Sequence, residues 1–315
     1  MNSNKEKYEI WCEGNNSIPL FYRYAYYQTL FGDNWDVILD CRGENIVGVM
    51  PFVLRSKFGF KKINPELLFP YQGIWINYPD NQKNATKISF EKEVITNIIN
   101  QLPKVAFFNQ QFHPSFTNWL PLYWKDYRQT TRYTYIIKDI SNLDVVFENF
   151  QKNIRRHIRK AEKNISIEPS DNIELAFEMK LETARRKNTS SPIDKNKLLQ
   201  LYNYCKKNNC GELLIAKDQQ NNVHSMFFYV WDELSAYCLI GVTDDKYKNE
   251  SSMNLLYWEA IKRASTNTKT FNFNGGIIET IETFFRSYGG IQTPYFDISK
   301  TNSSLLKALN YSVKK

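Results

Sequence analysis

Residues 247–296 read YKNESSMNLLYWEAIKRASTNTKTFNFNGGIIETIETFFRSYGGIQTPYF. Met253, Leu256, Tyr257, Ala260, Ile261 and Ala264 fall at helical spacing on one stripe, which predicts a buried-face helix over roughly 252–264. TFNFN (270–274) then alternates as a half-buried strand does. A helix over 279–287 and a last strand near 292–298 follow. Arg286, just ahead of Gly289 and Gly290, can present its guanidinium fork to an oxyanion or a phosphate; the plainer reading is an ion pair with Glu282 one turn earlier. Glu282 and Glu279 are the nearest carboxylates, and either would act as a general base if burial raised its pKa.

Working upstream, LLIAKD (213–218), VHSMFFYVWD (223–232) and LSAYCLIGVT (234–243) are apolar runs separated by short polar turns, an antiparallel meander by pattern. His224 alternates with Met226 and reads as a packed residue. Before the meander come helical stretches over 144–164, 173–188 and 194–208. In the first of these, Val146, Phe147, Phe150, Ile154 and Ile158 mark an apolar face. Arg155 and Arg159, and Arg156 and Lys160, form two adjacent basic rows extended by Lys163. Those rows read either as a solvated face or as a docking surface for a nucleotide, a phosphorylated lipid or tRNA.

The first half is mixed. An aromatic helix is expected over 18–31, and a strand pair over 35–40 and 45–56 joined through Arg42, Gly43 and Glu44. Residues 60–82 lack periodicity and read as an ordered loop, whose aromatics Phe60, Phe69, Tyr71, Trp75 and Tyr78 line either a cleft or a core. A helix near 89–101 and the strand VAFFN (105–109) complete it. The tail from Thr301 is polar and basic, with Leu305, Leu306 and Leu309 available to dock it.

The 315 residues suggest two domains or one large one, and 42% hydrophobic and 15% aromatic content supplies material for a core. No run approaches a membrane-spanning length, and MNSNKEKYEIW lacks the apolar stretch of a secretory signal, so a soluble cytoplasmic protein is expected. Five scattered cysteines without CxxC spacing argue against a disulfide framework or zinc, and three histidines far apart argue against a metal site. The net charge of +8 points to an anionic partner.

The order helices, three antiparallel strands, helix, strand, helix, strand fits the GNAT acyltransferase core. Residues 247–296 resemble the C-terminal part of FemAB-like and BioF2-like acetyltransferase families. The shared pieces are a tyrosine-led loop (Tyr247), the LLxWxAIxxA helix (Leu255, Trp258, Ala260, Ile261), the FDF-like strand (Phe271, Phe273, Gly275) and the FFRxFG-like turn (Phe284, Phe285, Arg286, Tyr288, Gly289). KNIRRHIRKAEKN (152–164) is similar to the SKxRxxIRKAEK stretch of FemAB-like proteins. The segment WDVILDCRGENIVGVMPFVLRSKFGFKKI resembles a set of bacterial proteins of this architecture.

The resemblance implies an α+β fold of two tandem GNAT-like domains with mostly antiparallel sheets flanked by helices. Its expected parts are a degenerate domain over 1–140, a catalytic one over 141–300 and a basic tail over 301–315. It implies a donor bound on the strand around Ile240, Gly241 and Val242, near Tyr247, with phosphates at the helix start at Ser251 and Ser252. The usual glycine-rich loop is missing there, and Glu250 adds negative charge. Arg286 matches the basic residue of the FKxxFG motif. Asn272 and Asn274 stand where relatives carry acids. With Arg155, Arg159 and Tyr71 they are the candidate substrate contacts.

The expected activity is N-acyl transfer from an acyl thioester, acyl-CoA or a carrier protein, to an amine on a small molecule, sugar or lipid precursor, without a metal. The alternatives are Fem-type aminoacyl transfer from charged tRNA to a cell-wall precursor, and a non-catalytic binding protein on a decayed GNAT fold. No coiled-coil arm is evident over 165–212, which favours the thioester donor.

Overall fold

The computed structural model describes residues 3–15, 17–189 and 192–308; Leu309, at the end of the tail, lies outside them. The chain forms two compact units, one of residues 1–132 with 294–315 and one of residues 133–293. The division therefore falls at 132/133 where the sequence suggested 140/141, and residues 294–300 group with the first unit.

In the first unit the strands Asp36–Arg42 and Asn45–Phe52 form a hairpin about Gly43, whose φ of +63° suits glycine, and Trp75–Ile76 adds to its edge. A second sheet pairs Leu54–Lys57 with Phe60–Ile63, Phe60–Ile63 parallel to Phe107–Gln111, and Phe107–Gln111 antiparallel to residues 297–301. The expected loop over 60–82 thus contains two short strands. The helix Asn84–Gln101 buries Phe90, Val94, Ile95, Ile98 and Ile99. It approaches the hairpin so closely that a Cβ on Gly48 would run into Val94 and Ile98. Gly48→Ala is therefore expected to destabilise the chain by about 1–3 kcal/mol, measured by urea denaturation, because an overpacked core must shift side chains or backbone. The expected helix over 18–31 is interrupted: a 3-10 turn Leu20–Tyr22 and the helix Tyr24–Phe31 meet at Arg23, which is extended (ψ 140°).

In the second unit, residues 136–137, Phe271–Asn272, Ala236–Thr243, Val223–Trp231, Gly211–Asp218 and Ile165–Pro169 lie side by side in that order. The meander is antiparallel, as its turns implied. The helix Ser252–Ala264 follows it and buries Leu255, Leu256, Tyr257, Trp258, Ala260, Ile261 and Ala264. Phe227 and Tyr229 share its side of the sheet, with Phe227 4.5 Å from the Tyr257 ring. Phe228, between them, turns to the other face and meets Tyr202 of the helix Lys195–Lys207.

In the second unit two expectations need correction. The single helix over 144–164 is two, Leu143–Asn149 and Lys152–Ala161. Phe150 and Gln151 between them are extended; Phe150 is buried against Trp258 and Tyr288, and the Gln151 N–H donates to the Ser287 carbonyl at 2.9 Å. Tertiary packing thus breaks a helix that periodicity would continue. The strand over 270–274 is shortened to Phe271–Asn272, because Asn274 turns into a left-handed conformation (φ +54°) while its N–H donates to the Asn272 side chain. The strand Arg128–Ile137 had no sequence signal; its first half is polar on both faces, and only its last four residues are buried.

Candidate active site

The strand Ala236–Thr243 carries a bulge. Phe228 opposes Ile240 and Tyr229 opposes Cys238, so Leu239 is the extra residue. A bulge bends its strand and increases the local twist. On the other edge the same strand pairs in parallel with Phe271–Asn272 through only two positions, Ala236 with Phe271 and Tyr237 with Asn272. Beyond Tyr237 the two strands part. Among the described residues, the Cys238 carbonyl accepts from the Asn274 side chain at 2.8 Å in place of a ladder bond. Among the described residues the edge from Leu239 onward has no strand partner on that side, and Gly241 within it is exposed. A splayed strand edge of this kind offers backbone donors and acceptors to an extended ligand.

Asn272 and Asn274 are the wedge that holds the split. The buried Asn272 side chain accepts from the Thr134 hydroxyl at 2.7 Å and from the Asn274 N–H at 2.9 Å. Both asparagines are spent on the backbone and on Thr134. Cys238 beside them is buried, and burial pushes its thiol well above its ordinary value, so it stays protonated.

At the end of the splayed strand begins the helix Ser252–Ala264. Its first N–H groups lack intrahelical acceptors and its dipole favours an anion. Ser251 is the N-cap residue, yet its hydroxyl makes no cap bond; it lies 3.0 Å from His157 Nδ1. Ser251 has φ +62°, the left-handed region a glycine would fill. The backbone thus holds a glycine-type conformation at a position where the sequence has no glycine. Ser252 is buried and shares a 2.6 Å hydrogen bond with Ser225, so its side chain is structural. Tyr247 is half-buried and stacks on His224, with ring centroids 3.8 Å apart, while His224 Nε2 lies 3.2 Å from Asp218. Ile240 and Val242 are buried in the sheet.

His157 links this helix start to the basic helix Lys152–Ala161, which packs against the Ser252 helix. The two basic rows divide. Arg155 donates to the Glu148 carbonyl at 3.2 Å, and Arg159 lies over the Phe147 ring, so this row braces the preceding helix. Lys152, Arg156, Lys160 and Lys163 recur at i, i+4, i+8 and i+11 and form no ion pair among the described residues. They border a concavity of about 880 Å³.

Arg286 and Glu282 form the expected i, i+4 pair, Nε to Oε1 at 3.0 Å. The pair belongs to a larger group. The Tyr135 hydroxyl donates to the same Glu282 oxygen at 2.5 Å and accepts from the Gln292 amide at 2.9 Å. The bond from Tyr135, then the one from Arg286, hold the Glu282 carboxyl below its ordinary value, the reverse of what the expected general base requires. Burial and Glu282 raise the Tyr135 hydroxyl. Glu279 is exposed at the start of the helix Glu279–Arg286. Tyr71 belongs to the first unit, where it is 1% exposed and packs edge-on against His113 and Tyr295.

Sequence reading missed His157, Thr134, Tyr135 and Gln292. Each meets its partner across 94 to 157 residues of chain, and no local pattern marks such contacts. Among the described residues no cluster of His, Cys, Asp and Glu could hold a metal ion, and no helix is long and apolar enough to cross a membrane.

Comparison with known proteins bears on the same region. Residues 148–279 match the family model of an acetyltransferase (GNAT) domain. No curated protein matches the chain by sequence. Among solved structures, FemX is similar at a TM-score of 0.66 with 13% identity, over 94% of this chain and 96% of that one. The C-terminal domain of a protein described as a lysylphosphatidylglycerol synthetase from Agrobacterium fabrum is similar at 0.57 with 8% identity, over 98% and 95%. A tandem GNAT protein from the clavulanic acid biosynthesis pathway is similar at 0.53 with 8% identity, over 94% and 92%. The chain thus has an α+β fold like those of FemX and the tandem GNAT protein, and its match to an acetyltransferase (GNAT) domain lies within the second unit.

Proposed function

We propose that the chain is an N-acyltransferase whose donor is an acyl thioester with a phosphorylated arm. The observation that carries this reading is the split between Ala236–Thr243 and Phe271–Asn272, which opens beside the Leu239 bulge and leads to a helix start. A pantetheine-like arm has amides that would pair with the open strand edge from Leu239 to Val242. Its phosphates would meet the N-terminus at Ser251 and the row Arg156, Lys160 and Lys163. The acetyltransferase (GNAT) domain match over residues 148–279 supports the thioester donor.

Transfer requires an amine held against the thioester carbonyl, donors for the oxyanion and a route for the amine's proton. Arg286 spends Nε on Glu282, which leaves its terminal nitrogens for a developing negative charge. Glu282 is ionised and a weak base, so we assign it the task of aligning Arg286 and Tyr135. Exposed Ile277, Ile278 and Ile281 beside this group suit an acceptor with an apolar portion, such as a lipid precursor.

A second reading, aminoacyl transfer from tRNA, is favoured by the basic row itself. Thermal-shift measurements with acetyl-CoA, a long-chain acyl-CoA and tRNA, at low and moderate salt, separate the two. The expected result is a rise in melting temperature with a CoA ester, since a ligand that binds only the native state stabilises it by mass action. A response to tRNA alone, fading with salt, would replace the thioester with a charged tRNA. No response to any of the three would favour a binding protein on the same fold.

A further inference from the structure

The first unit carries a patch unrelated to the site. In the segment WLPLYWKDYR (119–128) the short helix Leu120–Tyr123 turns Pro121 and Leu122 into the core. It leaves Leu120 49%, Tyr123 58% and Trp124 58% exposed. One turn of the neighbouring helix adds Ile88, also 49% exposed, and Lys92, whose ammonium lies 5.3 Å from the Trp124 ring. The cations around these side chains are Lys92, Lys125 and Arg128, none of them in an ion pair among the described residues. Lys300 sits behind, over the Tyr127 ring and donating to the Lys125 carbonyl. Asp126 is the single acid of the segment.

We infer that this patch seats the protein on an anionic lipid surface. Leucine, isoleucine, tyrosine and tryptophan together are what an interfacial anchor uses, since the aromatic rings have apolar bodies and polar tips that suit the headgroup level. A ring of lysine and arginine is attracted to anionic headgroups, and long basic side chains can reach up while their stems stay in apolar contact. A protein partner fits less well, because interface cores are depleted of lysine. The anchor is rigid: Leu122 is fully buried, Trp119 packs edge-on against Tyr123, and Asn118 is tied to the buried Glu91.

The test is co-sedimentation of the full chain with phosphatidylcholine vesicles, with and without phosphatidylglycerol, at low and high salt. The wild type is expected to pellet with the phosphatidylglycerol vesicles, less at high salt, and to stay in solution with neutral ones. The double substitution Tyr123→Ala with Trp124→Ala is expected to weaken partitioning by about tenfold or more, from the apolar surface removed. Lys92→Glu with Lys125→Glu is expected to abolish the preference for phosphatidylglycerol. Melting curves of both variants check that the fold survives, Lys92, Tyr123 and Trp124 being exposed and Lys125 half-buried. Absence of wild-type binding, or binding that ignores the Tyr123 and Trp124 substitutions, overturns the inference. So does a concentration-dependent dimer that Trp124→Ala dissociates, because the patch is then an interface between copies.

Discussion

Arg286→Ala is expected to lower the rate of acyl transfer by about 100- to 1,000-fold, the usual effect of removing a donor aimed at a developing oxyanion. Among the described residues only Nε of Arg286 is engaged, so the terminal nitrogens provide a two-pronged donor whose direction is fixed by Glu282 and, through it, by Tyr135 and Gln292. Stability should hardly change, because an exposed i, i+4 pair contributes about 0.5 kcal/mol or less. Rate and melting temperature thus separate, and a fold defect cannot be mistaken for a catalytic one. Arg286→Lys keeps the charge and loses the fork, and should recover part of the rate. Glu282→Gln removes the alignment, and should raise KM or lower kcat without removing the cation.

The pH dependence has a definite sign. The Glu282 carboxyl is lowered in the folded chain, so its pairing contributes above the ordinary carboxylate pKa and is lost as pH falls through the lowered folded value. The Arg286 alignment therefore holds through neutral and mildly acid solution. Equal transfer by wild type and Arg286→Ala, with the donor found by thermal shift, would remove Arg286 from the site.

What the sequence revealed follows from where its information is local. The helix Ser252–Ala264 was legible because its apolar stripe repeats at the helical period, and the meander because turn residues punctuate its apolar runs. The ion pair of Glu282 and Arg286 was legible because helix geometry sets i, i+4 neighbours. The break at Phe150 was hidden: the residues suit a helix, and the competing interactions come from Trp258, Tyr288 and Ser287 far along the chain. The strand Arg128–Ile137 was hidden because its first half alternates neither in polarity nor in burial. The glycine-rich loop is missing, yet Ser251 takes up the left-handed conformation a glycine would fill, with its hydroxyl 3.0 Å from His157 Nδ1. A residue type is a weaker guide than the surroundings that can enforce its conformation, at a cost of roughly 1–2 kcal/mol.

Phe273→Ala is expected to be the most destabilising of these substitutions, by about 3–5 kcal/mol in urea denaturation. Phe273 is 1% exposed, and its ring lies 5.0 Å from Phe285, 5.3 Å from Phe271, 5.6 Å from Tyr288 and 5.7 Å from Tyr257. These rings join the strand end, the Ser252 helix and the Glu279 helix, so the surroundings cannot close over a missing ring without moving all three. The Gly290 backbone also abuts it; a Cβ there would meet the Phe273 ring at 3.3 Å. The residue sits between Asn272 and Asn274, so the cavity would open beside the wedge that keeps the strands apart. Ligand-induced stabilisation should therefore weaken along with the fold, whereas Arg286→Ala touches the rate alone. Phe273→Leu should recover much of the loss, since most of the buried volume returns. Phe58, 87% exposed on its turn, is the control: Phe58→Ala should change stability by within about 0.5 kcal/mol. If Phe273→Ala proved as mild as Phe58→Ala, the aromatic cluster could not be what holds the split strands in place, and the support for the donor cleft would have to come from the asparagine wedge by itself.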